Sequence, residues 1–388
     1  MERGVGSGSV SRLGYRKDNR GKRVLEKILH RADVQIGGNR PWDIQVRNPA
    51  FYDRILTGGS LALGESYMEG WWDCEALDRF FDKVLSARLD KTVKKSMDLL
   101  WAIIRRKLMN PQHSSRAFEI GKRHYDIGND LFCVMLDKEM NYSCGYWHKA
   151  TTLEEAQKDK LDLICRKIGL EPGMKVLDIG CGWGGFAKYA AEITGIDVLG
   201  ITVSKEQVKF AREHCKGFPV RIELMDYRAL DETFDRIVCV GMFEHVGEKN
   251  YRSFMTVVHQ CLEPDGLFLL HTIGGNNSTF KTDPWIGKYI FPNSMLPSAK
   301  QITIAAEGLF VLEDWHSFGH CYDKTLMAWN QNFTENWSQI KKAYDERFYR
   351  MWSYYLLSCA GSFRARRNQL WQIVFSKKGL RKSYTRTI

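Results

Sequence analysis

The stretch KVLDIGCGWGGFA, residues 175–187, holds the most concentrated ligand-binding chemistry in the chain. An apolar run reaches Asp178 and passes into Gly180, Gly182, Gly184 and Gly185. Glycine has no side chain, so a turn built this way lets the backbone approach a ligand closely. A dinucleotide turn spaces its glycines G-x-G-x-x-G and places an acid about twenty residues on for the ribose. Here the spacing is G-x-G-x-G-G and the acid precedes the glycines, which leaves no clear seat for a pyrophosphate. A smaller ligand fits that spacing, with Asp178 either ordering the turn or bonding a polar part of the ligand. A glycine-rich turn that merely makes a tight corner is the alternative.

Other polar residues stand at the ends of apolar runs. They lie in HYDIGNDLF (124–132), MNYSCGYW (140–147), LMDYR (224–228), GMFEHVG (241–247), LLHTIG (269–274), GHCYDKTLMAW (319–329) and LLSCAGSFRAR (356–366). Glu244 and His245 resemble an acid/base couple. Neighbours on an extended strand point to opposite faces, however, so His245 reads as structural. Taken alone, His271 reads as a satisfied core histidine, and Cys144 and Cys359 as small buried hydrophobes. The ten cysteines include no Cys-x-x-Cys pair and no cluster at zinc-ligand spacing, so no metal is expected. Reduced thiols in a cytoplasmic protein are the plain reading.

The elements that must position these residues alternate from about residue 150. LEEAQKDKLDLICRKIGL has the spacing of an amphipathic helix. MKVLDIGCG, IDVLGITVS, VRIELMD, FDRIVCVGMFEHV and GLFLLHTIG read as five successive strands, and GFAKYAAEI and KEQVKFAREHCKG as helices between the first three. LFVLEDWHSFG and LWQIVFSK follow as later strands. Such alternation predicts an α/β, doubly wound sheet that binds ligands at the carboxyl ends of its strands. Before it, residues 1–30 read as a loosely held basic tail and 31–90 as a small mixed α/β domain. There DVQIGG and DIQVRN are short strands, and PAFYDRILTGG and LDRFFDKVLSARL are helices, the first ending on Gly58 and Gly59. Residues 91–117 read as an amphipathic helix and polar linker, and the main domain is expected over 118–388.

Length, 388 residues, suits one large domain and one small one, and 44% hydrophobic content suits a full core. Neither a secretory h-region nor an apolar run of membrane-spanning length is present. The net charge of +11 is uneven. Residues 1–30 carry eight Lys/Arg against three acids, 91–109 six against one, and 362–388 eight against none, so the remainder is mildly acidic. Basic segments of this kind attract nucleic acid or an anionic membrane surface. Val93, Met97, Leu100, Ile104 and Leu108 make an apolar stripe beside the middle cluster, suited to lying on lipid or to packing on the body.

Against this frame, the glycine turn resembles motif I of the class I S-adenosylmethionine-dependent methyltransferases. LMDYR stands where that superfamily sets an acid against the adenine amine, which implies Asp226 and Tyr227 at the base. The second strand ends in GITVSKEQ, without the usual ribose acid, so Thr202 and Gln207 are expected at the nucleoside. The remaining motifs, in this order, are similar to those of the cyclopropane-fatty-acyl-phospholipid synthases and the related mycolic acid cyclopropane synthases. GESYMEGWWD (64–73), shared by the bacterial phospholipid enzymes, extends the resemblance over nearly the whole chain.

That resemblance implies a chemistry. A cis alkene in a phospholipid acyl chain attacks the sulfonium methyl, leaving a carbocation; the new methyl loses a proton and the ring closes. It implies a cofactor site of Tyr125, Tyr142, Ser143, Asp178, Gly180, Gly182, Gly184, Thr202, Gln207, Asp226 and Tyr227. It implies bound bicarbonate as base, held by Glu244, His271 and Tyr322 with backbone groups at Cys144 and Cys359. Bicarbonate has one hydroxyl to give to Glu244 while His271 and Tyr322 donate to its other oxygens. A thiolate has nothing to do in this reaction, so Cys359 is expected to act by position. The basic segments then meet a phospholipid bilayer with an anionic surface, at roughly 1 kcal/mol per Lys/Arg. A homodimer, peripheral at the inner face of the membrane, is implied as well. The competing outcomes are a methyl branch or hydroxyl on the same scaffold, and a silent membrane-binding sensor of S-adenosylmethionine. Nucleic-acid methylation is opposed by GMFEHVG where an Asn/Asp-Pro-Pro-aromatic motif would stand.

Overall fold

The computed structural model describes residues 20–89, 128–381 and 384–387. Most of the basic tail, the helix and polar stretch expected over 91–117, and Tyr125 lie outside the described residues.

The N-terminal module comprises α1 (Arg20–His30), β1 (Gln45–Val46), α2 (Phe51–Met68), β2 (Trp72–Asp73) and α3 (Leu77–Ser86). Two expectations are corrected here. Residues 20–30 are not loose: α1 buries Leu25 and Leu29, one turn apart, in the module's core. As expected, the first helical segment of α2 ends at Gly59. That glycine takes φ +55 and ψ −136, which breaks the helix locally. The helix then resumes because Ala62 and Met68 pack inward again. DVQIGG contributes only an isolated bridge from Ile36 to Ile44, and DIQVRN only the two residues of β1.

In the main domain, α4 (Asn129–Met135) and α5 (Leu153–Lys167) precede β3 (Lys175–Ile179). Next come α6 (Gly185–Thr194), β4 (Asp197–Thr202), α7 (Lys205–His214), β5 (Val220–Leu224), β6 (Phe234–Val240), α8 (Glu248–Cys261) and β7 (Leu262–Gly275). The chain ends with α9 (Pro284–Tyr289), α10 (Ala299–Ala306), β8 (Val311–Ser317), α11 (His320–Ile340), α12 (Glu346–Arg364) and β9 (Asn368–Ser376). Local chemistry sets the starts of two helices that matter below. Thr152 and Glu155 form a reciprocal capping box on α5, and Ser204 caps α7 through Gln207 N.

The sheet order is β5-β4-β3-β6-β7-β9-β8, with β3 to β7 parallel and β9 antiparallel between β7 and β8. The winding reverses between β3 and β6, and there the carboxyl ends of the strands open a crevice. β3 reads Val-Leu-Asp-Ile, all buried, because a parallel strand is covered on both faces. The doubly wound α/β sheet expected from the alternation is therefore present.

The N-terminal module packs on the helix that carries Cys359. A Cβ at Gly361 of α12 would lie 2.5 Å from the Asp78 carbonyl of α3, so the two backbones touch at that glycine. The Arg364 guanidinium pairs with Asp78 at 2.6 Å and with Asp323 of α11 at 2.9 Å. Arg350 donates to the Trp72 carbonyl at 2.9 Å. Arg386, also in the basic C-terminal stretch, pairs with buried Asp314 at 2.6 Å. Part of that positive charge is thus engaged inside the molecule.

Candidate active site

A cavity of about 170 Å³ lies at the switch point. The turn after β3 forms one wall. Gly180 has φ +82, and a Cβ there would meet Met242 at 2.6 Å, so only glycine fits between the β3 and β6 ends. At Gly185 a Cβ would stand 2.5 Å from the Glu139 carbonyl, which holds the turn against the loop before α5.

Nine of the expected cofactor residues line this cavity: Tyr142, Ser143, Asp178, Gly180, Gly182, Thr202, Gln207, Asp226 and Tyr227. Gly184 does not. Its φ of +89 starts α6, and its Cα faces Cys215 instead. Thr202 Oγ1 donates to Gln207 Oε1 at 2.7 Å, which satisfies the amide oxygen and leaves the amide nitrogen to turn toward a ligand. The Asp226 carboxylate accepts from Arg228 N at 3.0 Å and pairs with its guanidinium at 2.9 Å, so it is already engaged. Among the described residues the buried Tyr227 hydroxyl has no partner. Burial pushes the Asp178 carboxyl up to about 7, with Lys160 pulling the other way.

The residues expected to hold bicarbonate do not line this cavity but adjoin it. Glu244 and His245 sit in a short 3-10 turn, Phe243–His245, not on an extended strand. Successive residues of such a turn still stand about 120° apart, so the side chains do diverge, Glu244 to β7 and His245 to the cavity lining, where among the described residues its buried Nδ1 has no partner. Glu244 reaches β7, where Oε1 accepts from Ile273 N at 2.6 Å, while Oε2 is buried without a partner among the described residues. Burial pushes this carboxyl up to about 7. His271, two residues earlier on β7, has its Nδ1 3.2 Å from the Gln372 amide nitrogen of β9. With that amide donating, Nε2 carries the imidazole proton, and Nε2 too is buried and without a partner among the described residues. Burial holds His271 well below its ordinary pKa, with Lys160 and Lys167 adding to the effect, so the ring is neutral.

Tyr322 of α11 stacks on Phe363 of α12 at 4.5 Å. Burial holds its phenol protonated, and Cys144, Tyr142, Glu244 and Cys359 lie near enough to reinforce that. Tyr322, Glu244, Cys144 and Cys359 therefore lie near one another, His271 stands on the strand whose backbone Glu244 meets, and among the described residues none of the five hydrogen-bonds another. The Cys359 thiol is pushed up to about 12, chiefly by burial, and stays protonated at neutral pH. Cys144 Sγ turns toward the Gly145 carbonyl at 3.2 Å. The surrounding wall is aromatic: Tyr142 packs on Phe132 and Trp329, and its hydroxyl meets that of Tyr355 at 2.9 Å.

Lys160 and Asn141 belong to the cavity and were not expected there. A signal existed. Leu153, Gln157, Lys160, Leu161 and Ile164 share the buried stripe of α5, and a lysine on such a stripe marks a buried charge.

This switch-point sheet and its glycine-walled cavity define a class I S-adenosylmethionine-dependent methyltransferase. The family model for mycolic acid cyclopropane synthetase matches residues 112–373. The chain is 54% identical over 360 residues to cyclopropane-fatty-acyl-phospholipid synthase of Escherichia coli K12, covering 93% of this chain and 94% of that one. It is 37% identical over 268 residues to a probable fatty acid methyltransferase of Pseudomonas putida, covering 66% of this chain and 68% of that one. The cyclopropane synthase MmaA2 from Mycobacterium tuberculosis superposes with a TM-score of 0.64 at 33% identity, over 67% of this chain and 98% of that one. The mycolic acid cyclopropane synthase CmaA1, complexed with SAH and CTAB, gives 0.63 at 34% identity, with the same coverage. The chain belongs to the mycolic acid cyclopropane synthetase family.

Proposed function

We propose that this enzyme converts cis double bonds of phospholipid acyl chains into cyclopropanes, using bicarbonate held beside the transferred methyl as base. One observation carries the base: among the described residues a buried acceptor, Glu244 Oε2, and a buried donor, His271 Nε2, both lack partners, and Glu244 reaches the β7 backbone two residues from His271. An unsatisfied buried polar group is costly, and a pair of opposite character suits an ion that both donates and accepts. Bicarbonate has that chemistry; acetate and nitrate lack the donor.

S-adenosylmethionine supplies an electrophilic sulfonium methyl. Tyr142, Ser143 and Asp178 are suited to its amino-acid end, the Gln207 amide to its ribose, and Tyr227 with Asp226 to its base. Bicarbonate, held by Glu244, His271 and Tyr322, supplies a weak base for a proton that is strongly acid next to a carbocation. The aromatic wall of Phe132, Tyr142, Trp329 and Tyr355 excludes water, which would otherwise trap the cation, and presents ring faces that tolerate positive charge. Cys359 is assigned a positional role, consistent with its protonated thiol. Among the described residues no helix is long and apolar enough to cross a membrane. The basic segments support docking on an anionic bilayer surface from the cytoplasmic side, as a peripheral homodimer.

The test is a mass spectrum of phospholipid fatty acids after incubation with S-adenosylmethionine and unsaturated phosphatidylglycerol vesicles, with and without bicarbonate. A gain of one methylene that resists hydrogenation and falls on bicarbonate depletion is expected. A hydrogenation-sensitive branch would refute ring formation, and indifference to bicarbonate would refute the base.

A further inference from the structure

Lys160 has no part in the roles above, yet its ammonium is placed with care. The residue is 1% exposed and lines the cavity. It donates to Asn141 Oδ1 and Ser143 Oγ, each at 3.1 Å. One turn earlier on α5, Gln157 Nε2 donates to the Asn141 and Ser143 carbonyls, at 3.3 and 2.8 Å. Asp137 grips the same loop from its other end, accepting from Asn141 N at 2.9 Å and Asn141 Nδ2 at 2.8 Å. The loop that carries Tyr142 and Ser143 is therefore already held without Lys160. Among the described residues, no carboxylate lies within ion-pair distance of that ammonium. Asp137 and Asp178 act on it only from further off.

A buried cation whose close partners are neutral dipoles is costly, and a glutamine or methionine would fill the position at less expense. The methyl donor's amino-acid end is a zwitterion, with one carboxylate and one ammonium. Lys160 and Asp178 are a cation and an anion on the lining of one cavity. We infer that Lys160 recognises the donor's carboxylate, by its own charge and through the Ser143 hydroxyl that it orients, with Asp178 facing the donor's ammonium. Two hydrogen bonds leave the third N–H of Lys160 for that carboxylate. Burial lowers the ammonium pKa to about 8, so it remains largely charged at neutral pH.

The inference rests on the cavity being the methyl-donor site, and its test leaves lipid out. Calorimetry on the full chain would compare S-adenosylmethionine with its decarboxylated analogue, which retains sulfonium, ammonium and nucleoside. Wild type is expected to prefer the carboxylated ligand. Lys160→Gln should lose about 10- to 100-fold in affinity for S-adenosylmethionine, and bind the decarboxylated analogue within about twofold of wild type. Lys160→Arg should recover part of the preference. Equal weakening toward both ligands would overturn the inference and make Lys160 a loop brace, as would a preference that survives in the variant. If Lys160→Gln does not fold, the near-isosteric Lys160→Met is read by the same criterion. If both unfold, the lysine is holding structure and the inference is overturned. Wild type that binds neither ligand would instead refute the cavity assignment.

Discussion

Glu244→Gln separates the two duties of the buried carboxylate. The substitution keeps an amide oxygen for Ile273 N, which now donates to Oε1 at 2.6 Å, and removes the charge at the unpartnered Oε2. A carboxyl raised from 4.5 to about 7 binds more protons folded than unfolded between those values. Stability therefore falls as pH rises through that window and stays low above it. At about 1.4 kcal/mol per pH unit, the penalty reaches up to about 3 kcal/mol above neutrality. Glutamine escapes it. In bicarbonate-free buffer the variant should match wild type near pH ~4 and exceed it near pH ~8, by urea denaturation at both. Bicarbonate dependence should move the opposite way. Losing a charge-assisted hydrogen bond of about 1.5–3 kcal/mol raises the half-saturating bicarbonate concentration roughly ten- to a hundredfold. In wild type at fixed bicarbonate, affinity for the ion should rise with pH through about 7, as Glu244 ionises. A variant less stable than wild type at the higher pH, with an unaltered bicarbonate response, would refute the reasoning.

Other outcomes follow from close contacts and burial. Gly180→Ala, which needs φ +82 and places a methyl 2.6 Å from Met242 Cβ, should abolish SAH binding by calorimetry while the chain still folds. Gly361→Ala forces α12 off α3 and should cost about 1–3 kcal/mol, visible as a melting point lower by several degrees, with turnover reduced because Cys359 and Tyr355 ride on α12. Cys359→Ser should retain most of the turnover, and the wild-type thiol, pushed up to about 12, should resist iodoacetamide at neutral pH by mass spectrometry.

Much of the main domain was legible because its signals are local. β3, β4 and β5 are unbroken apolar or alternating runs bounded by turns, and their edges fall within a residue or two of the expected ones. The glycine turn was legible for the same reason, since positive φ at Gly180, Gly182 and Gly184 is a property of single residues. Misreadings arose where a neighbour decides the outcome. The Gly-Gly pair ends the first segment of α2 as read, but it gives no sign of the second segment that follows directly and is buried against the module and Trp285. Glu244 and His245 were read as strand, but the chain leaves β6 at Val240 and curls, bringing Glu244 to the β7 backbone. Residues 20–30 look like a polar tail until Leu25 and Leu29 find a core.

By itself the amino-acid sequence determined the α/β winding, the glycine turn and the residue types available at each strand end, because hydrophobic period and backbone conformation are set within a few residues. Tertiary structure alone decided which of those residues meet. Glu244, His271, Tyr322 and Cys359 come from a turn, a strand and two helices, and Lys160 from a fifth element. Their chemistry depends on desolvation, which raises Glu244 and Asp178 to about 7, while Glu244 Oε2 and His271 Nε2 stay buried without partners among the described residues. Burial is a property of the packed whole, and no single stretch of chain carries it.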